Sequence, residues 1–203
     1  GSCARKRVLR PQAGLAFASG SCVRKIPYLC GMHLNVEIKA RSGHNDRIRE
    51  ILRREGADFR GLDHQIDTYF RVADGRLKLR EGNIEHSLIF YQRPDQAGPK
   101  TSQVHLYHPK PGPELKQLLI VSLGVWKVVD KQREIAFIGN VKFHLDRVAG
   151  LGEFMEIEAI DMEGHGDVTA LQKQCDHYMA LFGVERKDLL SNSYSDLVKE
   201  EGE

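Results

Sequence analysis

Charged side chains of one sign occupy every second position in several short segments of this chain. Residues 75–80 carry three cations in this spacing, and residues 154–159 carry two carboxylates. A period of two places such side chains on one face of a β-strand. Like charges that neighbour one another on one face repel, so they are typical of a site that holds a ligand of opposite charge, an anion for cations and a metal ion for acids. For any single strand, the solvated outer face of a sheet is the alternative interpretation.

The same alternation opens the body of the chain. Residues 32–41 alternate apolar side chains with Asn35, Glu37, Lys39 and Arg41. Seven similar runs follow. The eight strands are expected at residues 32–41, 65–72, 76–80, 85–93, 102–108, 125–137, 141–148 and 153–160.

Short turns at residues 73–75 and 81–83 predict hairpins, so the strands pair antiparallel. Helices are expected after a cap at Asn45 or Asp46, over residues 114–123, and after a cap at Asp167 or Thr169. Residues 193–198 are expected to add a short strand or turn. The pattern therefore predicts an α+β protein with an eight-stranded antiparallel closed β-barrel and helices packed outside it. A lumen lined by the charged faces must be hydrated or filled by a ligand.

Composition limits the classes of function. The chain has 203 residues, 41% of them apolar and 29% charged, which is enough for one domain with a substantial core. Residues 32–203 hold 24 basic and 28 acidic residues, a net charge of −4, so no specific nucleic-acid partner is expected. The sequence contains no apolar run of the 18 or more residues that a membrane span needs, so a soluble protein is expected.

Residues 1–31 differ in composition from the rest. They contain six Lys and Arg, no acid and three of the four cysteines, and we expect a disordered or processed leader whose Gly1 and Ser2 are typical of expression-tag remnants. Cys175 is the one cysteine of the body, so a reducing compartment and a cytoplasmic location are expected. A mitochondrial location is the alternative if residues 3–31 are a transit peptide. Residues 199–203 are expected to fray.

A series of motifs resembles one known family. The motifs are Asn35-Val36-Glu37-Ile38-Lys39, Asp67-Thr68-Tyr69-Phe70, residues 75–81, residues 88–93, Lys131-Gln132-Arg133, residues 144–152 and residues 154–158. Their types and order resemble the CYTH superfamily, the triphosphate tunnel metalloenzymes that include class IV adenylate cyclases and thiamine triphosphatase. The resemblance covers residues 32–198 and is strongest to bacterial proteins described as class IV adenylate cyclase-like.

The resemblance implies a tunnel in which basic side chains hold a triphosphate and carboxylates hold a divalent metal, Mg²⁺ or Mn²⁺. The substrate-binding candidates are Arg76, Lys78, Arg80, Arg93, Lys131, Arg133 and Tyr91. The metal candidates are Glu37, Asp146, Glu156 and Glu158. Lys39 and Glu37 are the candidates to orient or deprotonate an attacking water. Tyr69 and His144 either contact the substrate or fill the barrel. The chemistry of the basic side chains agrees with the substrate-binding role, because guanidinium and ammonium groups match the oxygens of a triphosphate, which carries about four negative charges.

One position departs from the family's ExExK motif, since Asn35 stands where the first Glu is expected. An amide offers a carbonyl oxygen without charge, which predicts a weaker or missing second metal or a different substrate pose. Three functions remain open: a metal-dependent triphosphatase acting on inorganic or small organic triphosphates, an adenylate cyclase, and a non-catalytic module that binds nucleotide or polyphosphate. The expected partner is a small molecule that bears a triphosphate, and a homodimer is left open.

Overall fold

The computed structural model describes residues 31–162, 164 and 166–198 of the chain. The predictions for the leader, apart from Gly31, and for the tail at residues 199–203 lie outside this part. No helix among the described residues is both long and apolar enough to cross a lipid bilayer.

Eight antiparallel strands close into one barrel, as the alternating pattern predicted. In chain order they are β1 (Gly31–Arg41), β2 (Asp58–Phe70), β3 (Arg76–Gly82), β4 (His86–Gln92), β5 (Lys100–Tyr107), β6 (Val125–Ile138), β7 (Val141–Val148) and β8 (Gly152–Ile160). Around the barrel the order is β1-β5-β4-β3-β2-β6-β7-β8, and β8 pairs with β1 to close the ring. Closure leaves the barrel without a free edge.

The helices lie between strands or follow the last of them. They are α1 (Asn45–Arg54), α2 (Pro113–Leu123), α3 (Val168–Phe182) and the short α4 (Tyr194–Leu197), with a 3₁₀ turn at Arg186–Asp188. The Asp167 carboxylate caps α3 by accepting the Ala170 N–H at 3.0 Å, which confirms one of the two predicted caps.

Two local predictions were wrong. The residue that precedes α1 is His44, because the Asn45 side chain turns inward to the carbonyl of Phe154. β2 begins at Asp58 rather than residue 65, because a register shift at Gly61 interrupts the alternation that marks a strand.

Of the strand or turn expected at residues 193–198, the structure shows a single helical turn, α4. Its start is held by the Asp196 carboxylate, which accepts the Ser193 N–H at 2.9 Å.

The main hydrophobic core lies between the barrel wall and the helices α1 and α3. Apolar side chains of β1, β7 and β8 that point outward pack against Leu171, Cys175 and Phe182 of α3. Phe143 meets Tyr178 edge-on, with ring centroids 4.7 Å apart. The predicted apolar stripe of α3 is therefore confirmed, except at Val168, which is exposed.

The segment at residues 189–198 crosses one end of the barrel. The Leu190 N–H donates to the Lys39 carbonyl at 2.9 Å, and the ring of Tyr194 packs on Phe154 with centroids 4.9 Å apart. The Lys100 ammonium donates to the Ser191 carbonyl at 2.6 Å. These contacts close one end of the lumen, and we call the other end the mouth.

Asp63 ties the β3–β4 turn to the neighbouring strand. This fully buried carboxylate accepts the Ile84 N–H at 2.8 Å, the Glu85 N–H at 3.0 Å and the Gln65 side-chain amide at 2.8 Å. Two backbone donors that no strand ladder satisfies therefore depend on one side chain.

We expect Asp63→Ala to lower the free energy of unfolding by roughly 2–4 kcal/mol, because it leaves buried donors unpaired. Asp58→Ala is the matched control, since Asp58 lies exposed on the same strand beside Arg60 and should change stability by about 0.5 kcal/mol or less. Urea denaturation measures both. Equal stability of the two variants would contradict this role for Asp63.

Candidate functional site

Alternate residues of all eight strands point into the barrel and line a cavity of about 810 Å³. The lining cations are Lys39, Arg60, Lys78, Arg80, Arg93, Lys131, Arg133 and Lys142, and the lining carboxylates are Glu37, Asp67, Glu85, Glu156 and Glu158. Basic side chains thus outnumber carboxylates in the lining by eight to five, and of the eight only Arg60 and Arg133 have a further carboxylate partner behind the lining, Asp58 and Asp146, among the ion pairs of the described residues. Charges removed from bulk water need partners, so this excess favours an anionic ligand.

Asp67 is the central counter-ion of the lumen. Its carboxylate accepts Arg80 at 2.9 and 3.0 Å, Lys78 at 3.0 Å and Lys131 at 2.5 Å, and only 1% of the residue is exposed. Strand register explains the convergence, because Asp67 lies opposite Arg80 on one side and opposite β6 on the other. Burial favours the neutral acid, but the three cations hold the pKa of Asp67 well below its usual value.

A second cluster surrounds Glu156. Its carboxylate lies 2.6 Å from the Lys39 ammonium, 2.8 Å from Arg133 and 2.9 Å from Nδ1 of His144. Here too burial opposes ionisation, yet the cations hold the pKa of Glu156 well below its usual value. Burial, with Arg133 nearby, lowers the pKa of His144 to about 4, so the imidazole is neutral near pH 7.

Glu85 anchors a third group towards the mouth. Arg80 donates to it at 2.8 Å, Gln65 donates at 3.1 Å, and Lys142 forms an ion pair with its other oxygen. Arg80 therefore joins this group to Asp67. The result is a continuous charged network rather than separate ion pairs.

Crowding of like charge is most severe at Lys131. The residue is 1% exposed, and burial together with the nearby Arg80, Arg133 and Lys78 lowers its pKa well below the usual lysine value despite Asp67. Burial likewise lowers the pKa of Lys39. A bound polyanion would relieve this repulsion and favour the charged ammonium.

Most of the predicted substrate-binding residues line the cavity: Lys78, Arg80, Arg93, Lys131, Arg133 and Tyr91. Arg76 does not. It lies on the same face of β3, but it donates to Asp196 at 3.1 Å and stacks over Trp126 with its guanidinium carbon 5.1 Å from the ring centre. It therefore attaches α4 to the closed end of the barrel.

The predicted metal-binding residues divide into two sets. Glu37 and Glu158 are cross-strand neighbours on β1 and β8 and both line the cavity. The Asn35 amide donates to Glu158, while its buried Oδ1 has no hydrogen-bond partner among the described residues. Glu37 forms an ion pair with Arg93.

Asp146 lies deeper than the cavity lining. It is fully buried, accepts Arg133 Nε at 2.7 Å and the Tyr194 hydroxyl at 2.8 Å, and so belongs to the closed end. Among the described residues, no group of three or more His, Cys, Asp and Glu side chains is arranged to hold a metal ion by itself. Oxygen donors for a cation would therefore have to come partly from a ligand.

Sequence analysis assigned no role to Asp67, Glu85, Lys142 or Tyr194. The sequence does indicate an inward direction for three of them. Lys142 alternates with His144 and Asp146 on β7, and Asp67 alternates with Gln65 and Tyr69 on β2. The third is Glu85, which opens the expected strand at residues 85–93 and alternates with Tyr91 and Arg93. Tyr194 lies in α4, beyond the last barrel strand, so nothing in local spacing could place it in the lumen.

Comparison with known proteins gave the following. A family model described as the CYTH domain matches residues 33–194. The PH1012 protein of Pyrococcus horikoshii is 23% identical with a TM-score of 0.62, and the match covers 81% of this chain and 99% of that one. A proposed adenylate cyclase from Vibrio parahaemolyticus is 19% identical with a TM-score of 0.64, covering 81% and 97%.

A proposed adenylyl cyclase from Hippeastrum, which has a dominant triphosphatase activity, is 13% identical with a TM-score of 0.53, covering 79% of this chain and 91% of that one. At these identities the solved structures show a shared fold. The comparison with curated protein sequences gave no match.

We expect Asp67→Asn to lower the free energy of unfolding by roughly 3–5 kcal/mol, because it leaves three buried cations without their shared carboxylate. Added tripolyphosphate should raise the melting temperature of this variant more than that of the unmodified protein. Asp130→Asn is the control, since Asp130 is half exposed on the outer face beside His64. Thermal melts with and without tripolyphosphate measure both effects, and an Asp67→Asn variant as stable as the control would contradict the role of Asp67.

Proposed function

Since this chain belongs to the CYTH family, we propose that it is a metal-dependent triphosphatase that hydrolyses the terminal phosphate of inorganic triphosphate or of a small organic triphosphate. The observation that carries the proposal is the excess of cations over carboxylates around a buried cavity. A triphosphate, with about four negative charges, supplies the charge that the lining lacks. A neutral or cationic ligand would leave the excess uncompensated.

The cation network suits phosphoryl transfer. Arg80, Lys131 and Arg133 are fixed by buried carboxylates before any ligand arrives, so little reorganisation is needed when charge develops on the transferred phosphoryl group. Hydrolysis needs little covalent participation by the protein, because positioning and electrostatic stabilisation carry most of it. The arrangement therefore supports attack by water in line with the bond to be broken.

The residues at β1 and β8 fit a single hard cation. Glu37, Glu158 and Oδ1 of Asn35, which has no hydrogen-bond partner in the described part of the chain, are oxygen donors on adjacent strands. Mg²⁺ is typically held by one or two carboxylates, with substrate phosphate oxygens and water completing its shell, so an incomplete protein set is what such a site needs. When bound, Mg²⁺ or Mn²⁺ would neutralise phosphate charge. Enzymes of this family that act on triphosphates are metal-dependent.

Glu156 and Asp146 are better suited to positioning than to ligation. Glu156 already meets Lys39, Arg133 and His144, and Asp146 meets Arg133 and Tyr194. We assign them the task of holding Lys39 and Arg133 in place.

Lys39 and Glu37 are the proposed catalytic residues. Lys39 faces the cavity beside Glu156 with its ammonium 3.6 Å from the centre of the Tyr194 ring, which fixes its direction. Its lowered pKa makes proton exchange with a bound water easier than for an ordinary lysine. Glu37 is the carboxylate that can orient that water if Arg93 turns to the substrate.

Product analysis tests the proposal. The protein is incubated with tripolyphosphate or ATP and with Mg²⁺ or Mn²⁺, and orthophosphate, pyrophosphate and cyclic AMP are separated. We expect orthophosphate. Cyclic AMP with pyrophosphate would instead establish a cyclase, and saturable binding without product would establish a binding module.

Two arginine variants locate the activity in the lumen. Arg80→Ala should weaken triphosphate binding roughly ten- to a hundredfold, because a charge-assisted hydrogen bond contributes about 1.5–3 kcal/mol. Arg147→Ala is the matched control, since the Arg147 side chain is 76% exposed and pairs with Glu153 outside the barrel. Equal affinity in the two variants would place the substrate elsewhere.

The Asn35 position tests the metal assignment. Asn35→Glu adds a carboxylate beside Glu158, so we expect tighter binding of Mn²⁺, measured by titration calorimetry without triphosphate. Asn83→Glu, in the exposed turn after β3, is the control for added charge. If neither variant changes the affinity for Mn²⁺, position 35 lies outside the metal site.

A further inference from the structure

One side chain of the lumen keeps an unused hydrogen-bonding atom. His144 lies on β7 and lines the cavity, and only 2% of the residue is exposed. Its Nδ1 lies 2.9 Å from a carboxylate oxygen of Glu156, whereas its Nε2 has no hydrogen-bond partner in the described part of the chain. Because an unpaired buried polar atom costs free energy, such an atom beside a cavity is typical of a contact made by a bound molecule.

Strand register fixes the direction of this ring. His144 lies directly opposite Glu156 in the ladder of β7 and β8. Lys142, two residues earlier on the same face of β7, is engaged by its ion pair with Glu85. The imidazole is therefore held through Nδ1, and Nε2 stays available to a molecule in the lumen.

The neighbours of Glu156 determine which nitrogen of His144 carries the hydrogen. The Glu156 carboxylate lies 2.6 Å from the Lys39 ammonium and 2.8 Å from the Arg133 guanidinium, so it is ionised and can only accept hydrogen bonds. Nδ1 must then carry the hydrogen and donate it to Glu156. In a neutral imidazole the other nitrogen is an acceptor. Nε2 therefore presents a lone pair and needs a donor.

The chemistry of the lumen limits what that donor can be. Phosphate oxygens are acceptors and suit the lumen cations, whereas a water molecule can donate an O–H to Nε2. In phosphoryl transfer to water, a residue that accepts a hydrogen bond from the water aligns its oxygen with the phosphorus. The pKa of His144, lowered by burial to about 4, makes the ring a weak base, which suits holding a water rather than storing its proton.

We propose that Nε2 of His144 accepts a hydrogen bond from the water that attacks the terminal phosphorus, which makes His144 a further catalytic residue beside Lys39 and Glu37. This inference rests on the proposed function and adds a residue to its site. Glu37 is engaged by Arg93 and has to be released before it can orient a water, whereas Nε2 needs no such rearrangement.

The step balances for tripolyphosphate as substrate. The oxygen of the water forms a bond to the terminal phosphorus, and the bond from that phosphorus to its bridging oxygen breaks with the electron pair going to pyrophosphate. One proton of the water passes to the pyrophosphate. The other, which is hydrogen-bonded to Nε2, stays in the orthophosphate, so His144 is neutral before and after the step.

Two amide variants separate the roles of the two ring nitrogens. His144→Asn keeps a donor near the position of Nδ1 and removes the acceptor, so we expect kcat for tripolyphosphate to fall about a hundredfold with little change in KM. His144→Gln keeps an acceptor near the position of Nε2 and removes the donor, and its kcat should fall less than about tenfold. His64→Asn is the matched control, because the His64 side chain is 47% exposed beside Asp130, and it should retain the kcat of the unmodified protein.

The opposite order of the two variants, with kcat retained in His144→Asn and lost in His144→Gln, would overturn the proposal, because it is the result for a ring that only holds Glu156. A raised KM with unchanged kcat in His144→Asn would place Nε2 on the substrate instead. Weaker binding of Mn²⁺ by His144→Asn, measured by calorimetry, would place it on the metal. Either result contradicts a contact with the attacking water.

The hydrogen on the ring can also be located directly. In ¹⁵N NMR of the histidine-labelled, unmodified protein at pH 7, the His144 signals, identified by their loss in a variant, should show a protonated Nδ1 and an unprotonated Nε2. A protonated Nε2 would refute the proposal. Circular dichroism shows which variants fold, and if His144→Asn does not, a hundredfold loss of kcat in His144→Gln decides against the proposal.

The proposed function and this inference fail in different ways. If the unmodified protein hydrolyses neither tripolyphosphate nor ATP, the proposed function fails and the role of His144 falls with it. If the unmodified protein is active and His144→Asn retains its kcat, only the role of His144 is wrong.

Discussion

The structure depends on keeping more cations than carboxylates inside a barrel that is closed at one end. Two buried carboxylates are each shared between cations: Asp67 serves three, and Glu156 serves Lys39 and Arg133. Sharing of this kind keeps the cations in place but does not neutralise them. A lumen built in this way is most stable when a polyanion occupies it.

The antiparallel barrel provides the stability that offsets the cost of burying these charged side chains. Period-two alternation sends apolar side chains outward to pack under α1 and α3, where they supply the hydrophobic free energy, and sends charged side chains inward. Residues 189–198 complete the closed end with Tyr194, whose hydroxyl holds Asp146 and whose ring faces Lys39. The charged network is therefore anchored from the strands and also from a segment that follows them in the chain.

Much of the architecture was predictable from the sequence, because alternation is a local signal. The barrel and the inward direction of the β3 and β6 cations follow from period two, whereas the strand order, including the pairing of acidic β8 with β1, was given by the structure. Arg76 shows the limit of that signal. It lies on the expected inward face of β3, but at the end of the barrel where α4 packs, so it pairs with Asp196 of α4. Alternate spacing shows on which face of a strand a side chain lies, but it does not show how far along the barrel axis that side chain lies.

The central claim, that the crowded lumen cations bind a polyanion, is tested most directly by titration calorimetry of tripolyphosphate at two values of pH. Since burial and the neighbouring cations lower the pKa of Lys131 in the free protein and a polyanion raises it, binding should be saturable and should weaken as the pH rises. The double variant Lys131→Gln with Arg133→Gln should lose most of this affinity. Absence of saturable binding, or undiminished binding by the double variant, would contradict the account.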